Sequence, residues 1–97
     1  MPTYIVLGNF TDQGIRNVKD APKRDEAVKE MAKKVGVTMK EVFYTLGAYD
    51  FVSILEAPDD LSMTALGLSV GALGNVRTQT LRALSGGEMK TILGKPP

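Results

Sequence analysis

Apolar and polar residues are arranged along the chain in alternating short and long blocks, which predict strands and helices. The first block, TYIVLGN at residues 3–9, is rich in β-branched and aromatic residues and lies between turn residues, as a strand does. Its apolar residues fall on both parities, with Ile5 and Leu7 on one and Tyr4 and Val6 on the other. We therefore expect this strand to be covered on both faces.

The second block, from residue 11 to 36, has helical periodicity but contains a proline. Thr11 or Asp12 can cap its start, and Pro22 interrupts it because proline lacks the amide donor and clashes with the preceding turn. Beyond that proline, apolar residues follow one stripe and charges of alternating sign fill the rest, which is typical of a solvated helix rather than a nucleic-acid surface. Gly36 supplies the stop. The block predicts a short helix followed by a long one.

Two apolar runs, at residues 37–46 and 50–57, flank a turn and predict an antiparallel hairpin. A proline follows, and Asp59 or Asp60 can cap a helix that extends to about residue 73. Adjacent carboxylates at such a position are typical of capping rather than of a metal site, because a hard cation needs oxygen ligands from several segments.

The remaining segment predicts a strand and a short terminal helix. VRTQTLRAL at residues 76–84 is rich in threonine and follows a Gly-Asn stop, as a fourth strand does. SGGE at residues 85–88 has the spacing of a capping box, with Ser85 as the cap and Glu88 as its partner.

The order strand, helix, strand, strand, helix, strand predicts the α+β class and a ferredoxin-like βαββαβ fold in one domain, residues 1–97. Its four-stranded antiparallel sheet carries both helices on one face. We place the first strand beside the third, and the fourth strand on the outer side of the second. Because the strands are apolar on both sides, the uncovered face is a larger apolar patch than monomers usually expose. Two such sheets packed face to face predict a homodimer or a higher homo-oligomer.

The amino-acid composition argues against several kinds of binding and catalysis. The formal net charge of +1 gives no broad field for nucleic acid or for a membrane surface. The absence of cysteine removes disulfides and thiolate nucleophiles, and the absence of histidine removes the commonest metal ligand and general base. We expect no metal and no cofactor. No basic leader precedes an apolar stretch and no apolar run approaches the ~20 residues of a membrane span, so we expect a cytoplasmic protein.

Several motifs together resemble the GYD domain family of small bacterial and archaeal proteins. They are FTDQGIRNVKDAPKR near the start, GAYDFV followed by EAPDD, and GALGNVRTQTLRA later. The resemblance covers residues 2 to about 93. The Gly-Tyr-Asp letters of the family name correspond to Gly47, Tyr49 and Asp50, with Ala48 intervening. The resemblance implies a dimeric α/β barrel and no particular activity.

Tyr49 and Asp50 have two interpretations. In the structural one, Gly47 takes a positive φ, Asp50 accepts hydrogen bonds from turn amides, and Tyr49 packs over the end of the sheet. In the functional one, a phenol and a carboxylate at the mouth of a cavity orient a small ligand or move a proton.

The fourth strand also has two interpretations. Thr78, Thr80 and Arg82 share one face of it, so a row of hydroxyls ending in a guanidinium could bind a carboxylate or another small anion. The alternative is an edge strand that uses charge and threonine against aggregation, or an intersubunit salt bridge. The glycines of GLSVGALG indicate close helix packing, because both the P-loop ending and the dinucleotide fingerprint are missing.

One candidate ligand site combines these residues. It consists of Tyr4, Asn9, Tyr49, Asp50 and Arg82, on or beside the sheet. Arg82 would hold an anionic group, Asp50 would act as acceptor or base, and the two phenols would form walls and donors. In the strand order that we expect, one pocket holding all five needs the partner subunit.

We therefore expect a small-molecule-binding or assembly module, with a second copy as partner and a small anionic or aromatic molecule as a possible ligand. The competing hypothesis is a cofactor-independent monooxygenase or isomerase, since dimeric α/β barrels carry such chemistry. A continuous dry core would favour assembly, whereas a cavity of a few hundred Å³ would favour a ligand or catalysis.

Overall fold

The computed structural model describes residues 1–96, which form a four-stranded sheet with four α-helices. The strands begin and end within two residues of their predicted bounds. In chain order the elements are β1 (Thr3–Phe10), α1 (Asp12–Arg16), a 3₁₀ turn (Val18–Asp20), α2 (Ala21–Lys34), β2 (Thr38–Tyr44), β3 (Phe51–Glu56), α3 (Asp60–Ala72), β4 (Val76–Ala83) and α4 (Gly86–Leu93).

Side-chain caps fix the helix starts that the sequence predicted. Thr11 caps α1 by accepting from the Gly14 amide at 3.1 Å, and Asp59 caps α3 by accepting from the Ser62 amide at 2.8 Å. That second bond lowers the pKa of Asp59, because it stabilises the ionised carboxylate. The predicted capping box at the start of α4 is confirmed. None of the helices within residues 1–96 is long and apolar enough to cross a bilayer.

The strand order is β2-β3-β1-β4, and every neighbouring pair is antiparallel. The class and the one-sided helices are as predicted, but the expected position of the fourth strand was wrong. β4 pairs with β1, not with the outer side of β2. Tyr4 of β1 consequently lies directly opposite Arg82 of β4 in one chain. The crossover through α3 brings β4 to the edge of β1 that β3 leaves free, as in the ferredoxin-like arrangement.

One face of the sheet, here called the helix face, carries the core. Side chains of alternate β1 and β3 residues point to it and pack against α2 and α3. Burying these apolar side chains supplies most of the folding free energy. The buried core residues are Tyr4, Val6, Ala32, Val37, Leu55, Ala57, Met63 and Leu66.

The opposite face, here called the open face, has no helix over it. The register sets the other half of each strand on this side, and its apolar side chains are half-buried or exposed. They are Ile5, Leu7, Phe43, Val52, Ile54 and Leu81. β1 is therefore apolar on both sides, but within residues 1–96 only its core side is packed, so the expected cover on its second face stays a prediction that depends on a partner.

Helix α4 extends beyond the sheet. All eight of its residues are exposed, including Met89, Ile92 and Leu93. The described residues span 51 Å along their longest axis. The helix is held locally by its capping box and by an ion pair between Arg82 and Glu88 at 3.9 Å.

Candidate functional site

The loop between β2 and β3 is closed by its own backbone. The Thr45 amide donates to the Asp50 carbonyl at 2.9 Å, and the Thr45 hydroxyl donates to the Tyr49 carbonyl at 2.6 Å. Gly47 has φ +108°, a conformation that favours glycine, as predicted. The loop therefore depends on a glycine at this position.

Asp50 connects this loop to the first strand. Its carboxylate accepts from the Phe10 amide at 2.9 Å, and its own amide donates to the Gly8 carbonyl at 2.8 Å. The structural interpretation predicted bonds to turn amides, whereas the carboxylate bonds an amide of β1. Asp50 therefore fixes the hairpin loop against β1, and this carboxylate already has a partner in the protein.

Tyr49 crosses the first strand on the open face. Its phenol donates to the Gln79 side chain of β4 at 3.3 Å. Because Asp50 lies on the β3 side of β1 and Gln79 pairs with Leu7 from the other side, the Tyr49 ring spans β1. Asn9 lies on the same open face and pairs with Arg77 of β4.

Tyr4 and Arg82 lie together at the other end of the sheet. The buried Tyr4 phenol donates to the Asp60 carboxylate at the start of α3. That bond, followed by burial, raises the pKa of Tyr4. The Arg82 guanidinium lies 5.7 Å from the centre of the Tyr4 ring, within cation–π range, and also donates to the Ala83 carbonyl.

The five predicted residues thus form two groups rather than one pocket in a single chain. Tyr4 and Asn9 are about 17 Å apart along β1, at roughly 3.4 Å per residue, and point to opposite faces. Tyr49 and Asp50 lie at the Asn9 end, and Arg82 lies at the Tyr4 end. Thr78, Thr80 and Arg82 do share a face, as predicted, but the guanidinium is already engaged.

A pocket of about 230 Å³ lies between the helix face and helices α2 and α3. The apolar part of its wall comes from the sheet, α2 and α3, and includes Phe10, Phe51, Met63, Leu66 and Val70. The centroids of the Phe10 and Phe51 rings are 6.0 Å apart, and the rings are tilted by 44°. Phe51 also covers Gly8, where any side chain would collide with the ring.

Polar residues also line this pocket, and they include Asn75, Thr78 and Thr80 on the β4 side. At the mouth, the Tyr44 phenol donates to Asp25, and burial together with that bond raises the pKa of Tyr44 to about 12. Arg24 donates to the carbonyls of Asn17 and Gly14. On the floor lies the hydroxyl of Ser53, a residue that is only 5% exposed.

Comparison with known proteins assigns the chain to a family. The family model described as GYD domain matches residues 4–93. The chain belongs to the GYD domain family. A "Glutamine synthetase and cystathionine beta-lyase binding protein" of Thermus thermophilus is 36% identical over 85 residues, which are 87% of this chain and 90% of that protein.

Solved structures support the fold of this GYD domain. The crystal structure of TTHA0845 from Thermus thermophilus matches with a TM-score of 0.57 and 24% identity, over 89% of this chain and 96% of the other. The crystal structure of MtbAldR matches with a TM-score of 0.59 and 14% identity, over 87% of this chain and 52% of the other. At these identities the likeness shows the fold alone.

The structure gives each residue of the family tripeptide a role in this GYD domain. Gly47 permits the loop conformation, Asp50 binds the loop to β1, and Tyr49 reaches across β1 to β4. Sequence reasoning did not find the pocket residues Ser53, Tyr44 and Asp25. The available signal was a single hydroxyl residue within the apolar run FVSILE, on the parity of the buried Leu55.

Proposed function

We propose that this GYD domain is a homodimeric protein-binding module that associates with a metabolic enzyme such as glutamine synthetase or cystathionine β-lyase. The observation that carries the proposal is the similarity to a protein named for binding those two enzymes. The match covers 90% of that relative, so the matched region, rather than an added domain, is where its binding surface would lie. The coarse expectation of a binding or assembly module agrees with this.

The open face supports the dimer. Six apolar side chains there are half-buried or exposed within residues 1–96, although the Tyr49 ring crosses β1, and in a monomer they would remain in contact with water. Two such sheets can pack about 10 Å apart with their inner side chains interdigitated. The pairing is isologous, because the same surface serves both subunits. Polar residues at the margin, such as Asn9, Arg77 and Gln79, would form its rim.

A dimer also strengthens enzyme binding. An enzyme partner that is itself a symmetric oligomer, as most soluble oligomers are, presents the same surface more than once. A module with two identical binding surfaces can engage two subunits of such an enzyme. The second contact then forms at a high effective concentration, which raises the overall affinity.

Sedimentation velocity tests the dimer. Leu7→Lys places a charge in the middle of the open face, whereas Leu61→Lys makes the same change at an exposed position of α3. We expect the wild-type chain and Leu61→Lys to sediment as dimers at micromolar concentration and Leu7→Lys to sediment as a folded monomer, because burying an unpaired charge is costly. A monomeric wild type would refute the dimer.

Titration with purified glutamine synthetase and cystathionine β-lyase from the same source tests the partner. We expect the chain to co-sediment with at least one of these enzymes, and Leu7→Lys to bind more weakly through loss of bivalence. An unrelated oligomeric enzyme of similar size serves as control. If neither enzyme shifts the sedimentation of the chain, the proposed partners are wrong.

A further inference from the structure

The pocket on the helix face contains a buried hydroxyl without a partner. Ser53 lies in the middle of β3, between Val6 of β1 and Val42 of β2. It is 5% exposed, and no group among residues 1–96 bonds its side chain. No side-chain oxygen or nitrogen in this part of the chain is both sealed from solvent and unbonded. The Ser53 hydroxyl is therefore reached from the pocket, where it faces inward without a hydrogen bond.

We propose that this pocket binds a small neutral aromatic molecule that carries one hydrogen-bonding group, and that Ser53 receives that group. This inference goes beyond protein binding, and it concerns the face of the sheet opposite to the proposed dimer contact. The two proposals can therefore fail separately.

Volume sets the size of the ligand. The pocket holds about 230 Å³. A buried apolar cavity of ~150 Å³ is enough to bind benzene. The space therefore suits a substituted single ring or a small fused bicycle. Larger molecules would have to separate α3 from the sheet.

The walls select an aromatic molecule. Phe10 and Phe51 present tilted rings, and such rings accept a third ring in an offset or edge-to-face arrangement. Met39 and Met63 line the same space, and the flexible thioether of methionine adapts to a ring edge. The apolar wall therefore favours a flat ring over a polar chain.

The charges select a neutral molecule. Two charged side chains line the pocket, and both already have partners: Asp25 accepts from Tyr44, and Arg24 donates to two backbone carbonyls. A charged ligand would lose its hydration here without gaining a free counter-charge. Ser53, Thr78 and Thr80 supply hydroxyls to the lining, and Ser53 is the buried one of the three, so we place the hydrogen-bonding group of the ligand at Ser53.

Indole and indene test the hydrogen bond by calorimetric titration of the full chain. The two molecules have the same shape, but only indole carries an N–H donor. We expect wild type to bind indole about fivefold more tightly than indene, the effect of one net hydrogen bond. Ser53→Ala should lose this preference for indole, because the indole N–H then leaves water without gaining a hydrogen bond at Ser53. The variant should remain folded, since it removes a hydroxyl that has no protein partner.

Two glycines of α3 provide a matched test of the location. Gly67 lines the pocket and Gly71 does not, and a Cβ at either position would meet nothing within 4 Å, so both positions have room for a side chain to start. Gly67→Leu should fill the pocket and abolish indole binding. Gly71→Leu should bind indole like wild type. Both variants should melt at higher temperature, because leucine favours the helix over glycine.

Three outcomes would overturn the inference. They are a failure of indole to bind wild type saturably, equal binding of indole by Gly67→Leu and Gly71→Leu, and a Ser53→Ala variant that keeps the preference over indene. A fourth outcome points to a different occupant. If Gly67→Leu alone changes the oligomeric state, the pocket is a protein interface rather than a ligand site, and the ligand proposal is refuted.

Discussion

At the scale of single residues, Asp50 has a role that the loop alone would not reveal. Its carboxylate holds the Phe10 amide and its backbone amide holds the Gly8 carbonyl, so one residue joins the hairpin loop to a central strand. A carboxylate that accepts from a backbone amide stabilises a protein more than a neutral acceptor does. Asp50, the acidic residue of the family tripeptide, therefore contributes to the stability of the fold.

Asp50→Ala should lower the free energy of unfolding by about 1.5–3 kcal/mol, because the part-buried Phe10 amide loses a charged partner. Asp50→Asn should lower it by less, since its carbonyl oxygen can still accept. Urea unfolding of the three proteins measures both differences. Equal stability of Asp50→Ala and wild type would show that this bond contributes nothing.

Tyr44 makes stability depend on pH in the alkaline range. Its pKa is raised from about 10 to about 12, first by burial and then by the bond to Asp25, so the folded state favours the protonated phenol. Its contribution is complete below pH ~10 and is lost as the pH rises through about 12. Wild type should therefore exceed Tyr44→Phe in stability by a constant margin up to pH ~9, and the margin should shrink above pH ~10.

Denaturant unfolding at pH 8 and pH ~11 measures that margin. In Asp25→Asn the anion beside the phenol is gone, so the pKa of Tyr44 should fall while burial still keeps it above its ordinary value. A margin that stays the same across this range would contradict the assignment.

At the scale of secondary-structure elements, two glycines in helices have opposite constraints. A side chain at Gly14 in α1 would come within 1.9 Å of the Asn75 carbonyl oxygen at the start of β4. A Cβ at Gly67 in α3 would meet nothing within 4 Å, and the same is true of Gly71, so the expectation that these glycines allow close helix packing was wrong. Close packing of α1 against the β4 entrance therefore depends on the missing side chain at Gly14.

Gly14→Ala should destabilise the protein by about 1–3 kcal/mol, because the backbone of Asn75 must move to make room. Gly67→Ala should stabilise it by up to about 1 kcal/mol through helix propensity. Thermal unfolding followed by circular dichroism compares the two. If both changes stabilise, α1 does not pack closely in solution.

Local signals explain why the elements were predictable and their contacts were not. Thr11, Asp59 and Ser85 are caps whose partners lie three residues away, so the sequence itself contains both ends of each bond. The Asp50 carboxylate instead bonds an amide forty residues earlier, which only the strand order and register reveal. The pairing of Arg82 with Tyr4 also depends on the strand order. It was not predicted, because the fourth strand was expected beside the second strand rather than beside the first.

At the scale of the whole molecule, the sequence analysis named a cavity as the feature to look for, but it did not name the residues that line the pocket. A cavity of a few hundred Å³ was the expected sign of a ligand, and one is present. Its lining combines α2, α3 and all four strands, so no local pattern could name Ser53 or Tyr44 as members. The packing of segments that are remote in sequence determines which residues line the pocket.

Helix α4 should be dispensable for the stability of the rest of the chain. A chain that ends at Leu84 loses α4, whose residues are all exposed, so we expect its Tm to change by less than about 4 °C. Calorimetry of both forms measures this. A larger fall would mean that α4 packs on the protein in solution. Sedimentation of the same pair would show whether the helix contacts the second subunit.

The short segment from Tyr49 to Phe51, where the hairpin loop enters β3, contacts both faces of the sheet. Tyr49 reaches over the open face to Gln79, and Phe51, two residues later, forms a wall of the pocket on the helix face. A partner that contacts Tyr49 and a ligand that contacts Phe51 would therefore act on one short segment. If either shifts that segment, thermodynamic linkage requires that each changes the affinity of the other by the same factor. The hairpin would then make enzyme binding responsive to a metabolite.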